Sequence, residues 1–217
     1  MRSKGAGTQA RELFGHGSNL VILLLLVTLA VAGYREDLLN LAPWALLGLA
    51  LFPGIEYGLH RFALHAPPCH RPRLFHLQRR LHYDHHRQPE RLDLLFLPVW
   101  ITLPLATLSI CAFRLMTGSW AIAGALLFGS LAGLLYYEWV HYRAHIPDAP
   151  RTAWGRWMKK YHLWHHFKNE RYWFGVTSPV IDWLAGTYRP VERVPRSPTV
   201  STLFEAPTRK GGDRGPA

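Results

Sequence analysis

The chain has 217 residues, of which 49% are hydrophobic, and it carries a formal net charge of +11 without counting its 13 histidines. One soluble domain does not easily combine those values, whereas apolar spans joined by basic loops do. The charges fall between and after apolar runs instead of along one polar domain, which excludes nucleic-acid binding as the main reading.

In chain order, residues 1–17 read as a short basic tail, with Arg2, Lys4 and Arg11 against Glu12. Residues 18–34 and 38–55 form two apolar runs, each near the ~20 residues that a membrane helix needs. The turn between them, at Arg35, Glu36 and Asp37, is net negative. Basic residues ahead of the first run also suit a signal peptide, but the stretch is long and a second span follows at once. Residues 94–113 form a third span, which tolerates Pro98 and Pro104 if neighbours satisfy the freed carbonyls. Residues 119–140 form a fourth, where Gly124, Gly129, Ser130 and Gly133 allow close helix packing.

The plan is therefore two helical hairpins, each followed by a polar, histidine-rich region. Seven arginines against four acids over 55–93, and thirteen lysines and arginines against six acids from 141 on, place both regions and both termini in the cytoplasm. Residues 196–217, rich in Pro, Gly, Ser and Thr, read as a poorly ordered tail, leaving 18–195 as the membrane domain.

Ten histidines fall in four motifs: "HRFALH" (His60, His65), "HYDHH" (His82, His85, His86), "HYRAH" (His141, His145) and "HLWHH" (His162, His165, His166). Positions i, i+3 and i+4 share a helix face, so each HxxHH is expected to aim three imidazoles at one point. His60 and His65, five apart, lie roughly 140° round an ideal helix and need a helix end, a local distortion or two neighbouring targets. Ten imidazoles exceed the four ligands of a single zinc. Two metals of five or six coordination use them all and keep a position for water or oxygen. Imidazole suits iron, zinc, copper and nickel alike. His16, His70 and His76 lie outside the motifs and read as loop histidines. Glu56 and Glu138 share helix faces with His60 and His141, as partners that fix a ligand's tautomer or as residues that end a span at the water boundary. Cys69 and Cys111 make no CxxC pair and no disulfide framework.

The aromatics around the last motif, Tyr161, Trp164, Phe167, Tyr172, Trp173 and Phe174, read mainly as an interfacial belt. Lys159, Lys160, Lys168 and Arg171 read as headgroup contacts. Gly175 and Pro179 are expected to turn the chain back over the metals, and Asp182 to be structural.

The stretches "EYGLHRFALH", "LHYDHHRQPERLDLLFLPVW", "HYRAH" and "KKYHLWHHFKNERYWFGVTSPVIDWLAGTY" resemble the fatty acid hydroxylase/sterol desaturase superfamily of integral membrane diiron oxidases, from about residue 54 to 188. "YHLWHH" followed by "FGVTSP", Asp182 and "GT" is similar to the branch containing fatty acid 2-hydroxylases that act on sphingolipids. The resemblance implies an all-α membrane protein, four transmembrane helices under a cytosolic helical cap that holds a di-metal site. It carries the ligand role to all ten motif histidines. It further implies two iron ions (zinc substituting on purification), O2 as co-substrate and a lipid substrate from the bilayer. The external electron donor would be cytochrome b5-like or a ferredoxin/reductase, because the first 17 residues cannot hold the cytochrome b5 domain of eukaryotic 2-hydroxylases. Ile181 and Ala185 depart from the family's more usual SPLWDxxFGT.

The function expected is O2-dependent hydroxylation of a lipid acyl chain, at its 2-position. A sterol or carotenoid hydroxylase, or a desaturase, would use the same metal site and differ only in product. A membrane metal transporter or store would need polar residues inside the spans. Residues 20–33 and 119–137 contain no charged residue, which argues against it. Arginine far outnumbers lysine, which fits a bacterial inner membrane better than an endoplasmic reticulum.

Overall fold

The structure, a computed structural model, describes residues 5–34 and 38–203. The turn at 35–37, Arg2, Lys4 and the tail beyond 203 lie outside the described residues. Among those described there are helices and loops, with no strand. Helix α1 (Ala6–Phe14) leads into α2 (Gly17–Tyr34) and α3 (Leu38–Gly58), which continues as a π-helical segment over Leu59–Leu64. Next come α4 (Pro72–Gln78), a π-helical segment Arg79–Tyr83, and α5 (Asp84–Arg87). They are followed by α6 (Leu92–Leu95), α7 (Val99–Thr117), α8 (Trp120–His145), α9 (Ala153–Phe167) and α10 (Val180–Leu184). Four segments are long and apolar enough to cross a membrane: Gly17–Tyr34, Leu39–Leu64, Leu92–Thr117 and Trp120–His145. The chain is a multi-pass membrane protein.

The third span departs from the expected continuous helix. It breaks after α6, where Phe96 is extended (φ −83°, ψ 142°), and α7 starts after Pro98. A proline disfavours the helical region for the residue before it and has no N–H to donate, so the chain leaves the helix there. The second and fourth spans, by contrast, run on past the expected boundary and carry histidines on their own ends. Lys159, expected at headgroups, instead donates to the carbonyls of Arg143, Ile146 and Asp148 and caps the end of α8.

Helix α8 is central, packed against α2, α3, α7 and α9. Its approach to α3 is backbone-close. A methyl on Gly129 would lie 1.9 Å from the Ala45 carbonyl oxygen, and one on Gly48 would lie 2.2 Å from that of Leu126. Gly133 sits against the Phe52 ring, whereas Gly124 meets only Leu29 at an ordinary 3.6 Å, and Ser130 bonds back to its own helix at Leu126. Gly129→Val is therefore expected to push α3 from α8 and to cost at least about 1–3 kcal/mol. Thermal unfolding in detergent checks this, and an unchanged midpoint would contradict the close approach.

Candidate metal centre

The ten motif histidines divide into two sets of five. His60, His65, His82, His86 and His165 form one; His85, His141, His145, His162 and His166 form the other. Within each set the ligand nitrogens all lie within 4.8 Å of one another. The sets adjoin, with the His86 and His166 rings stacked at 4.1 Å.

Each HxxHH motif is thus split between the sets, not aimed at one point. Helix geometry gives the reason: at about 100° per residue, i and i+4 lie ~40° apart, while i+3 falls ~60° to the other side. His82 and His86 turn one way and His85 the other; His162 and His166 pair together and His165 crosses over. The HRFALH pair is solved differently. His60 lies in the π-helical segment and His65 caps its end, where the His65 N–H donates to the His60 carbonyl at 3.0 Å, an i→i+5 bond. A π turn brings residues five apart back nearly over one another, so one set can hold both. In the second set, α8 presents His141 and His145 four apart on one face.

Neighbouring Nε2 atoms in the first set approach to 3.1 Å (His60–His82), 2.8 Å (His65–His82) and 3.0 Å (His65–His165). In the second set they approach to 3.1 Å (His85–His141) and 2.9 Å (His145–His162). Ligands at right angles around an ion with ~2.1 Å bonds to nitrogen sit ~3.0 Å apart, so the spacing fits five- or six-coordinate ions. The buried Nε2 of His86 and both ring nitrogens of His166 have no hydrogen-bond partner. Such groups are costly to bury unless something binds them, and the donor set is one that holds a transition metal.

The other ring nitrogens explain how the lone pairs are aimed. His60 Nδ1 faces the Phe174 carbonyl at 2.5 Å, His165 Nδ1 faces that of Tyr172 at 2.8 Å, and His86 Nδ1 faces that of Val200 at 3.3 Å. A carbonyl only accepts, so each Nδ1 carries the proton and each Nε2 keeps its lone pair for a metal. Trp173, between the first two carbonyls, is fully buried with a left-handed φ of 58°, a costly conformation for a bulky residue. Its indole N–H donates to the Arg189 carbonyl at 3.0 Å, which anchors the kink.

Asp182 and Glu56 clamp this loop. The Asp182 carboxylate accepts from the backbone N–H of Phe174 (2.9 Å) and Gly175 (2.7 Å) and from the Thr187 hydroxyl (2.7 Å). Gly175 allows no side chain, since a methyl there would lie 2.1 Å from the Ser178 carbonyl oxygen. Glu56 accepts from the N–H groups of Val176 and Thr177 and from the Thr177 hydroxyl. Glu138 accepts from the Leu97 N–H at 3.0 Å, filling the gap left by the broken third span. Neither glutamate hydrogen-bonds the histidine that shares its face, and neither sits at a water boundary, for both are at most 5% exposed.

The remaining expectations fall as follows. Tyr161, Trp173 and Phe174 are buried instead of forming a belt, and Phe174 packs edge-on to the His60 and His65 rings. Phe167 and Trp183 are exposed. Residues 196–203, expected in the loose tail, pack down: Ser197 and Thr199 donate to Glu170, which sets Val200 over His86. His70 and His76 are exposed, and His16 bonds Ser18 at 2.6 Å.

Outside the spans, burial first and neighbouring imidazoles second hold His82, His86, His162, His165 and His166 well below the ordinary histidine value. His85 is brought down to about 3. These rings are neutral in the metal-free fold and protonate only once unfolded as pH drops below ~6.5. The unfolded state then binds more protons, and stability falls with falling pH by about 1.4 kcal/mol per unit for each such ring. Metal-free protein is therefore expected to lose its melting temperature steeply from pH 6.5 to 5. The metal-loaded protein should keep it to lower pH. A metal-free melting temperature that stays flat from pH 6.5 to 5 would contradict this.

A family model described as fatty acid hydroxylase matches residues 45–187. Fatty acid 2-hydroxylase of Rattus norvegicus is 31% identical over 152 residues, covering 69% of this chain and 40% of that protein. The ceramide very long chain fatty acid hydroxylase SCS7 of Saccharomyces cerevisiae is 35% identical over 147 residues (65% and 37%). The dihydroceramide fatty acyl 2-hydroxylase FAH1 of Arabidopsis thaliana is 32% identical over 165 residues (72% and 65%). A solved structure described as full-length scs7p with only its hydroxylase domain visible superposes with a TM-score of 0.72 at 30% identity, over 80% of this chain and 65% of that one. The chain thus spans less than two thirds of the length of each of these relatives.

Proposed function

Since the chain belongs to the fatty acid hydroxylase family, we propose that it is an integral membrane oxidoreductase that inserts one atom of O2 into a C–H bond of a lipid acyl chain, at the carbon next to the carbonyl. One observation carries the reading: both histidine sets share an apolar pocket that faces the spans. This cavity, of about 90 Å³, is lined by Phe52, Leu59, Leu97 and Leu134 together with His60 and His82 of one set and His85 and His141 of the other. Ile55, also on its wall, and Leu59 are 45% and 48% exposed on the outer face of α3, so the pocket borders the bilayer.

A second groove of about 440 Å³ meets the first set at His65 from another side, where the charged Arg61, Glu170 and Arg171 stand among Phe62, Phe174 and Leu203. The cluster lies between apolar and polar surroundings. The 2-position of an acyl chain occupies that same boundary, one carbon from its polar head, which favours this carbon over one deep in the tail.

The balance is R–CH2 + O2 + 2 electrons + 2 protons giving R–CHOH + H2O, with the electrons from an external cytochrome b5-like or ferredoxin-type donor. Two iron ions held by the two sets would supply the O2 chemistry that an unactivated C–H bond demands, and zinc would fit the same nitrogens without redox capacity. The chain's own work is to aim the Nε2 atoms through the Phe174, Tyr172 and Val200 carbonyls, to bury eight of the ten rings from water, and to present the chain carbon. The four spans, the basic histidine-rich segments and the arginine excess support cytoplasmic termini, a cytosolic cap and a bacterial inner membrane.

Leu134→Trp tests the pocket. It is expected to cut 2-hydroxyacyl product at least about ten-fold by driving an indole into that small cavity, with metal content unchanged. Full product yield would remove this pocket from the substrate path. In the same assay, a hydroxylated sterol or carotenoid in place of an acyl product would move the reading to those substrates.

A further inference from the structure

Two adjoining cavities on the far side of α8 use none of the histidines. The first, of about 390 Å³, lies at the end of the span and is lined by Trp139, Arg143, Asp148, Arg151 and Trp154. The second, of about 410 Å³, is an apolar groove between α1, α2 and α8, with Leu13, Leu26, Ala132 and Leu135 on its walls. Tyr136 and Trp139 line both, so the two meet at these side chains.

Their order along α8 follows one stripe. Ala132, Tyr136, Trp139 and Arg143 recur at spacings of four, three and four, the repeat of a single helix face. They pass from apolar through aromatic to cationic. From Ala132 to Arg143 the rise is about 16 Å, close to half the ~30 Å hydrocarbon thickness of a bilayer. Arg143 lies two residues from His141, about 200° round the helix, and so faces away from the metal centre. Its guanidinium is 5.8 Å from the Trp139 ring centroid, one nitrogen donates to the Ala149 carbonyl at 3.2 Å, and Nη1 is buried with no partner. Arg151 is exposed beside it. The Asp148 carboxylate in the same cavity accepts from Gln9 at 3.2 Å.

We propose that this paired site holds one anionic phospholipid, its phosphate on Arg143 and Arg151 between Trp139 and Trp154 and one acyl chain along Leu26, Ala132 and Leu135. The partnerless guanidinium nitrogen gains an acceptor, the two arginines outweigh the engaged Asp148, and the exposed aromatics sit at headgroup level as interfacial rings do. The lipid staples α1 and α2 to the end of α8. The site does not depend on the oxidase reading and is not on the substrate path.

The test uses the full chain purified into nanodiscs of phosphatidylcholine with or without phosphatidylglycerol. Native mass spectrometry reads retained lipid, and thermal unfolding reads stability. The intact chain is expected to keep one phosphatidylglycerol and to melt higher with it. Arg143→Gln combined with Arg151→Gln is expected to retain it about thirty-fold less, two surface cations being lost. Ala132→Trp, which keeps both arginines and fills the groove, is expected to lose it as well, and carries the test if the double variant does not fold. Retention by Ala132→Trp or by a folded double variant equal to that of the intact chain overturns the proposal. So does inorganic phosphate alone giving the same rise in melting temperature, which would make this a free-anion site, or equal retention of phosphatidylcholine.

Discussion

His85→Ala combined with His162→Ala is expected to leave one metal per chain, whereas His85→Ala combined with His165→Ala is expected to leave none. The first pair belongs to one set of five ligands and the second pair to both, although His162 and His165 stand in the same motif. Either double variant should lower acyl hydroxylation at least about a hundred-fold, since loss of even an outer partner of a ligand costs 10–100-fold. The pattern of metal counts matters more than the activity. If the double variant within one motif, His82→Ala with His85→Ala, retained one metal while His85→Ala with His162→Ala retained none, each motif would serve its own metal, and the split of the motifs would be wrong. Metal analysis of detergent-purified variants, with size-exclusion profiles to confirm folding, reads the outcome.

Asp182→Ala is expected to be the most damaging change outside the histidines. It strands the N–H groups of Phe174 and Gly175 at a fully buried carboxylate, and takes one of three partners from the Thr187 hydroxyl, which keeps Tyr57 and the Asp182 carbonyl. A buried donor left without its partner costs about 1–3 kcal/mol. Two such losses, about 2–6 kcal/mol together, are a large share of the roughly 5–15 kcal/mol that holds a typical domain together. The damage also reaches the metal centre, because the Phe174 carbonyl at His60 moves with the loop. Asp182→Asn keeps an acceptor and the shape, so the expected order of metal content and melting temperature is Asp, then Asn, then Ala. An alanine variant with full metal content and an unchanged melting temperature would contradict the clamp.

The four spans and the clustering of the ten motif histidines were legible because length, hydropathy and i, i+3, i+4 spacing are written in side chains. The partition of those ligands was not. It follows from the ~100° step between adjacent helix positions, which separates His85 from His86, and from a π-helical segment, the local distortion that the five-residue spacing of His60 and His65 left as one of three options. The aiming groups were hidden for a different reason: the Tyr172, Phe174 and Val200 contributions are backbone carbonyls, which leave no mark in composition. Glu56 and Glu138 were noticed for sharing faces with His60 and His141. Their real partners, the N–H groups of Val176, Thr177 and Leu97, are 120, 121 and 41 residues away and become visible only in the fold. The packing of residues 196–203 escaped notice because Pro, Ser and Thr there resemble a tail, while Glu170, which holds them, gave no sign of it.

The measurement that bears most directly on the account is acyl-chain mass spectrometry under 18O2, comparing the intact chain with His165→Ala in one host supplied with an electron donor. The account predicts 2-hydroxyacyl chains carrying a single 18O with the intact chain, and none above background with the variant. Hydroxylated chains without the label, equal labelling with the variant, or no labelled acyl chain from a metal-loaded intact protein with a reducing donor would each contradict it.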